Sequence, residues 1–192
     1  MVDLTIHIFI LAPTNETLPL FNDDTISIVK GKLVHTIALL PKEFEISLDF
    51  KLLEWKLVTS IIRFTEKNRN DGAWGARIPA IFGDGKFKKL VFSSSVNNNP
   101  VWYQYSQGIT KNEWHTFKIT QTLENGLYQL RVYQDETLLV TTSNSNAQEY
   151  KNVQVWMGDN IYEAQPGFIK NLRISGKFEL GVGCSHFHFR RF

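Results

Sequence analysis

The chain has 192 residues, of which 43% are hydrophobic, 21% charged and 13% aromatic, a globular composition that excludes a disordered chain. Its 21 basic and 19 acidic residues leave a net charge of +2, too small and too mixed for a nucleic-acid footprint. The one cysteine, Cys184, excludes an internal disulfide framework and a Cys-rich zinc module.

In chain order, the apolar run from Ile6 to Leu11 is interrupted by His7 and follows Asp3, where a leader would carry basic residues. It predicts a first strand, with no signal peptide and no membrane insertion. Asn15-Glu16-Thr17 is a glycosylation sequon. Ile26-Ser27-Ile28-Val29 and Leu33-Val34, separated by Gly31, predict a hairpin. Ile46, Leu48, Phe50 and Leu52 alternate along one strand face, and Val58, Thr59, Ile61 and Ile62 favour a further strand. Turns are expected at Gly83-Asp84-Gly85, Asn97 to Pro100, Asn125-Gly126 and Gly158-Asp159-Asn160. Asn125-Gly126 is the strongest hairpin signal, because a type I′ turn needs positive φ at both central residues. Trp114 to Gln121 alternates, as do Tyr128, Leu130 and Val132, then Val153, Val155 and Met157, and finally Leu172 and Ile174. Each strand has one face to bury, so the set predicts an all-β, two-sheet antiparallel sandwich over residues 1–178, with 179–192 as a tail or extra edge strand.

Three stretches add a resemblance: Arg77-Ile78-Pro79-Ala80-Ile81-Phe82, Asn112-Glu113-Trp114-His115-Thr116-Phe117-Lys118-Ile119, and Gln165-Pro166-Gly167-Phe168-Ile169-Lys170-Asn171-Leu172-Arg173-Ile174. In this order the chain resembles the concanavalin A-like lectin/glucanase superfamily, and within it domains similar to laminin-G modules. The resemblance implies a jelly-roll sandwich and favours an extracellular setting, with a cytoplasmic one as the alternative. Within that pattern, Trp114 is expected to cap the core and Gly167 to let the backbone turn into the last strand.

The resemblance also brings chemistry to be weighed. Related glucanases set several carboxylates on one strand face, where this chain has Glu43, Glu45 and Asp49. The E-x-D-x-x-E pattern is absent, however, and ordinary alternation makes these a solvated polar face. Laminin-G-like domains also bind calcium at a sheet rim, and the oxygen donors that suit it here are Asp84, Asp159 and Asn160, with Asp71 as a further candidate. The same acids beside glycine serve equally as turn formers. Cys184, His186 and His188 alternate near the C-terminus, a spacing that matches no standard zinc pattern.

Nucleophile elbows, phosphate loops and dinucleotide fingerprints do not occur. Aromatic rings beside amides are better represented. Trp74 lies in a polar stretch, and Trp102 and Gln104 follow the Asn98 turn, so these four residues are the candidate ligand contacts for a sugar. The sequence thus predicts a non-enzymatic recognition module for a glycan or an extracellular protein. Its alternatives are a glycoside-active enzyme and a homo-oligomer-forming sandwich without a small ligand.

Overall fold

The computed structural model describes residues 14–21, 24–66 and 72–178. The expected strand at Ile6 to Leu11, the candidate Asp71 and the whole Cys184-His186-His188 tail lie outside the described residues. Every described element is a strand. They are β1 (Thr14–Phe21), β2 (Ile26–Ser27), β3 (Lys32–Leu40), β4 (Phe44–Leu52), β5 (Val58–Glu66), β6 (Ala80–Asp84) and β7 (Lys89–Val96). The series continues with β8 (Asn99–Tyr105), β9 (Trp114–Glu124), β10 (Leu127–Gln134), β11 (Thr137–Asn144), β12 (Tyr150–Met157), β13 (Glu163–Ala164) and β14 (Gly167–Phe178).

Two seven-stranded sheets result, and apart from the short parallel contact of β13 with β5 the pairing is antiparallel. The first runs β1-β14-β4-β9-β10-β11 with β2 beside β14, and the second runs β3-β12-β5-β6-β7-β8 with β13 beside β5. Successive strands β3, β4 and β5 fall in alternate sheets, so the chain wraps the core as it goes. The expected two-sheet sandwich is the fold.

Alternation explains the core directly. Along β4 every second residue from Phe44 to Leu52 is buried, and those between are only half-buried. Ile169, Leu172 and Ile174 of β14 and Phe117 and Ile119 of β9 complete the inner face of the first sheet. Ile62 and Phe64 of β5, Leu90 and Phe92 of β7, and Val153, Val155 and Met157 of β12 meet them from the second. Phe117 sits between the sheets, its ring 6.3 Å from that of Phe50 and 5.4 Å from that of Phe92. Each such side chain contributes about 1.5–3 kcal/mol by leaving water.

Turn chemistry holds where local residues decide it. Asn125 and Gly126 have φ of 50° and 81° and join β9 to β10, and Asn97 and Asn98 have φ of 50° and 62° between β7 and β8. Three expectations change in the folded chain. The hairpin at Ile26 to Val34 does not form: β2 pairs with β14 in the first sheet, and β3 pairs with β12 in the second. Gly31 does turn the chain, with φ of 72°, but the turn passes from one sheet to the other, and Ile28 goes into the core on the way. Gly167 is needed for space and not for a left-handed φ, since a Cβ there would lie 2.5 Å from the Lys51 carbonyl oxygen and 2.9 Å from the Phe50 ring. Trp114 does not cap the core; its half-buried ring lies on the solvent side of β9, under two lysine ammonium groups.

Candidate functional site

The outer face of the second sheet is the place where aromatic, cationic and amide groups converge. Register sets its composition. Ala80 of β6 is paired with Ser93 of β7, which is paired with Tyr103 of β8, so these three side chains share one face. On the other side of β6, Arg63 of β5 is paired with Ala80 and with Trp156 of β12. Small side chains at Ala80 and Ser93 make a buried floor, and larger ones rise around it.

Arg77 precedes β6 in a segment that continues the sheet, with its carbonyl accepting from the Ser95 N–H at 3.0 Å. Its guanidinium carbon lies 5.1 Å from the Phe82 ring centroid, and Nη1 donates to the Ser93 hydroxyl at 3.4 Å. Phe82 in turn meets the edge of Tyr162, with centroids 5.6 Å apart. Among the described residues Arg77 is half-buried and has no carboxylate partner. Tyr103 is 58% exposed and meets Tyr105 edge-on, whose ring meets Phe87 in the same way. A guanidinium stacked on one ring, with tyrosines on either side, is a surface for a planar anionic group attached to an apolar-faced body.

Below it lies a buried ion pair. Asp159 is 0% exposed and Arg63 only 2%, with Arg63 Nε 3.7 Å from Asp159 Oδ2. Burial pulls the Arg63 guanidinium below its ordinary value, and the Asp159 carboxylate pulls it back up. The other oxygen of Asp159 accepts the Ile161 and Tyr162 N–H groups, both at 2.9 Å, and Arg63 Nη2 donates to Asn160 Oδ1 at 3.3 Å. Asp159 therefore fixes the loop that brings Tyr162 over Phe82.

These contacts bear on the candidate metal ligands. Asp84 Oδ1 accepts the Lys86 and Phe87 N–H groups at 3.1 and 3.3 Å, and Oδ2 accepts the Tyr105 hydroxyl at 3.4 Å. Loss of solvent around Tyr105, together with the nearby Asp84 charge, raises its phenol above the ordinary value. Asp159 and Asn160 already share a cation, the Arg63 guanidinium. Calcium needs six to eight oxygens at one point; here Asp84 is engaged by two backbone N–H groups and Tyr105, and Asp159 and Asn160 by Arg63. No grouping of three or more His, Cys, Asp or Glu side chains suited to a metal occurs among the described residues.

Of the four candidate sugar contacts, Trp102 and Gln104 pair with Ser94 and Phe92, which puts them on the core-facing side of β8. Trp102 and Trp74 are partly buried against the core, and the Trp74 indole N–H is buried without a hydrogen-bond partner. Gln104 donates to the Tyr105 carbonyl at 2.9 Å, while the Asn98 side-chain oxygen accepts from Asn146 at 2.7 Å. The Trp74 stretch does abut β8: a Cβ on Gly72 would lie 3.6 Å from Val101. Arg77 and Tyr103 are not among the ligand contacts expected from the sequence, although Tyr103 stands between two of them and Arg77 opens the first of the three stretches that carry the resemblance. Within the first sheet, Glu43 accepts the Leu123 N–H at 3.1 Å, and Asp49 accepts from Thr116 and Asn171.

No protein-family profile and no curated protein sequence matches this chain. Solved structures do. The CBM40 domain of the Ruminococcus gnavus IT-sialidase, bound to alpha2,3 sialyllactose, aligns with a TM-score of 0.57 at 11% identity over 85% of this chain and 95% of that one. The receptor-binding domain of botulinum neurotoxin type G aligns at 0.50 and 13% identity, over 86% of this chain and 43% of that one. The Trypanosoma rangeli sialidase aligns at 0.51 and 12% identity, over 69% of this chain but 20% of its own length. The chain thus spans less than half of the botulinum domain and a fifth of the trypanosomal enzyme. At these identities the likeness is one of fold: the chain has the β-sandwich of these proteins, with no match to a laminin-G or concanavalin A family.

Proposed function

We propose that this domain is a non-catalytic recognition module and that the outer face of its second sheet binds an acidic saccharide. The observation that carries the reading is the Arg77 guanidinium, stacked on Phe82, bonded to Ser93 and facing no carboxylate among the described residues. A sugar carboxylate supplies the missing anion, and Tyr103 and Tyr162 supply rings for its C–H faces. Asp84 and Asp159 on this face are already engaged by protein donors, so among the described residues the face offers no pair of available carboxylates such as glycoside hydrolysis needs. The CBM40 neighbour supports the reading in kind, being of nearly the same extent and bound to a sialylated sugar. The adhesive, extracellular setting expected from the sequence belongs to the same proposal.

Calorimetric titration with alpha2,3 sialyllactose and, in parallel, with lactose tests it. A charge-assisted contact is worth about 1.5–3 kcal/mol, so the acidic sugar should bind about 10–100-fold more tightly than the neutral one. Equal affinities, or no heat from either sugar, would remove the reading.

A further inference from the structure

The opposite face of the sandwich carries a second group of features that the acidic-saccharide reading does not use. On the outer side of the first sheet, Ser47, Asp49 and Lys51 of β4 lie directly across from Lys118, Thr116 and Trp114 of β9. On the other side of β4, Phe168 pairs with Lys51, Lys170 with Asp49 and Arg173 with Ser47. The pairing slips between Lys170 and Arg173 in a β-bulge, where Asn171 takes a φ of 53°.

A cleft of about 210 Å³ opens there, lined by Ser47, Leu48, Asp49, Thr116, Asn171 and Arg173. Thr116 and Asn171 donate to the two oxygens of Asp49, at 2.8 and 2.7 Å, which holds the bulge against β9. Beside the cleft, Lys51 Nζ lies 5.1 Å from the Trp114 ring centroid and 5.6 Å from that of Phe168, and Lys170 Nζ lies 4.6 Å from Trp114. The two ammonium groups are therefore no more than about 10 Å apart, within one screening length. Neither has a carboxylate partner among the described residues, nor has Arg173. Arg131, two strands away, shows the contrast: Glu124 holds it by bonds of 2.5 and 2.6 Å, and that bonding keeps the Glu124 carboxyl at about 2.

We infer that this face is a second ligand site, independent of the first, and that it takes a sulfated saccharide. Three unpaired cations ask for more than one negative charge. Asp49 beside them repels a bare polyanion but accepts from hydroxyl groups, so the ligand must carry both. The cleft is smaller than the ~300–1,000 Å³ that engulfs a whole small molecule, and so seats one substituent of a chain lying along the sheet.

The test is titration of a heparin-derived tetrasaccharide at low and moderate salt into the wild-type chain, the double variant Lys51→Gln/Lys170→Gln, Arg173→Gln and Arg77→Ala. The expected result is at least ~10-fold weaker binding by the double variant with a shallower salt slope, a smaller loss for Arg173→Gln, and the smallest loss for Arg77→Ala, whose face meets only the carboxylates of this ligand. A desulfated tetrasaccharide, which keeps only its carboxylates, should bind more weakly and with no sensitivity to the Lys51→Gln/Lys170→Gln substitution. Arg173 is exposed, so that variant remains informative even if the lysine pair disturbs packing. Wild-type affinity in both cleft variants, a loss centred on Arg77, or no binding by the wild-type chain overturns the inference. None of these outcomes depends on sialyllactose binding at the other face.

Discussion

Asp159→Ala is expected to destabilise the fold by about 3–5 kcal/mol, the usual result of removing one partner from a buried ion pair. The side chain is wholly buried, and its loss strips the carboxylate from the Arg63 guanidinium, itself 2% exposed. It also strips the acceptor from the Ile161 and Tyr162 N–H groups. For a chain of this length each kcal/mol shifts the melting temperature by roughly 2–4 °C, so a drop of about 6–20 °C is expected. Asp159→Asn keeps the acceptor for the loop and gives up the charge, and should fall between the variant and the wild-type chain. Added calcium should restore neither, because the loop is organised around an arginine. A loss under 1 kcal/mol in the alanine variant would show that Arg63 does not need this carboxylate.

The second large effect is on binding. Arg77→Ala should weaken the acidic trisaccharide about 10–100-fold while leaving the melting temperature nearly unchanged, because the half-buried guanidinium closes no ion pair among the described residues. Arg77→Lys should recover only part of the loss. An ammonium keeps the charge, but not the planar fork that meets a carboxylate with two parallel hydrogen bonds. Lactose affinity should be the same in all three chains, which separates loss of the charge contact from damage to the surface. Unchanged sialyllactose affinity in Arg77→Ala would move the site elsewhere.

Much of this architecture is legible from residues alone, and the pattern of success has a physical reason. Where a segment's own alternation or turn chemistry decides its state, as in Ile46 to Leu52 or Asn125-Gly126, the expected element is present. Where a segment has two partners to choose from, local signals fall short. Ile26 to Val34 reads as a hairpin because both arms suit a strand, yet each arm gains more by joining a different sheet. The site follows the same rule. Trp102-Tyr103-Gln104-Tyr105 has two faces, and only the register with Phe92 and Ser93 of β7 decides that Trp102 goes inward and Tyr103 outward. Arg77 stands in the open as part of the R-I-P stretch. What marks it is the absence of a carboxylate partner among the described residues, a tertiary fact that no spacing along the chain encodes. Asp159 shows the converse: an Asp after Gly reads as a turn former, and it is one, but the fold also buries it against an arginine 96 positions earlier in the chain.

Mapping amide chemical shifts during a titration with alpha2,3 sialyllactose tests most directly whether an acidic sugar sits on Arg77 and its rings. The predicted result is a saturable set of shifts centred on Arg77, Phe82, Ser93, Tyr103 and Tyr162, with Asp49, Trp114 and Lys170 unmoved. Shifts centred on the first sheet, or none at saturating sugar, would contradict it.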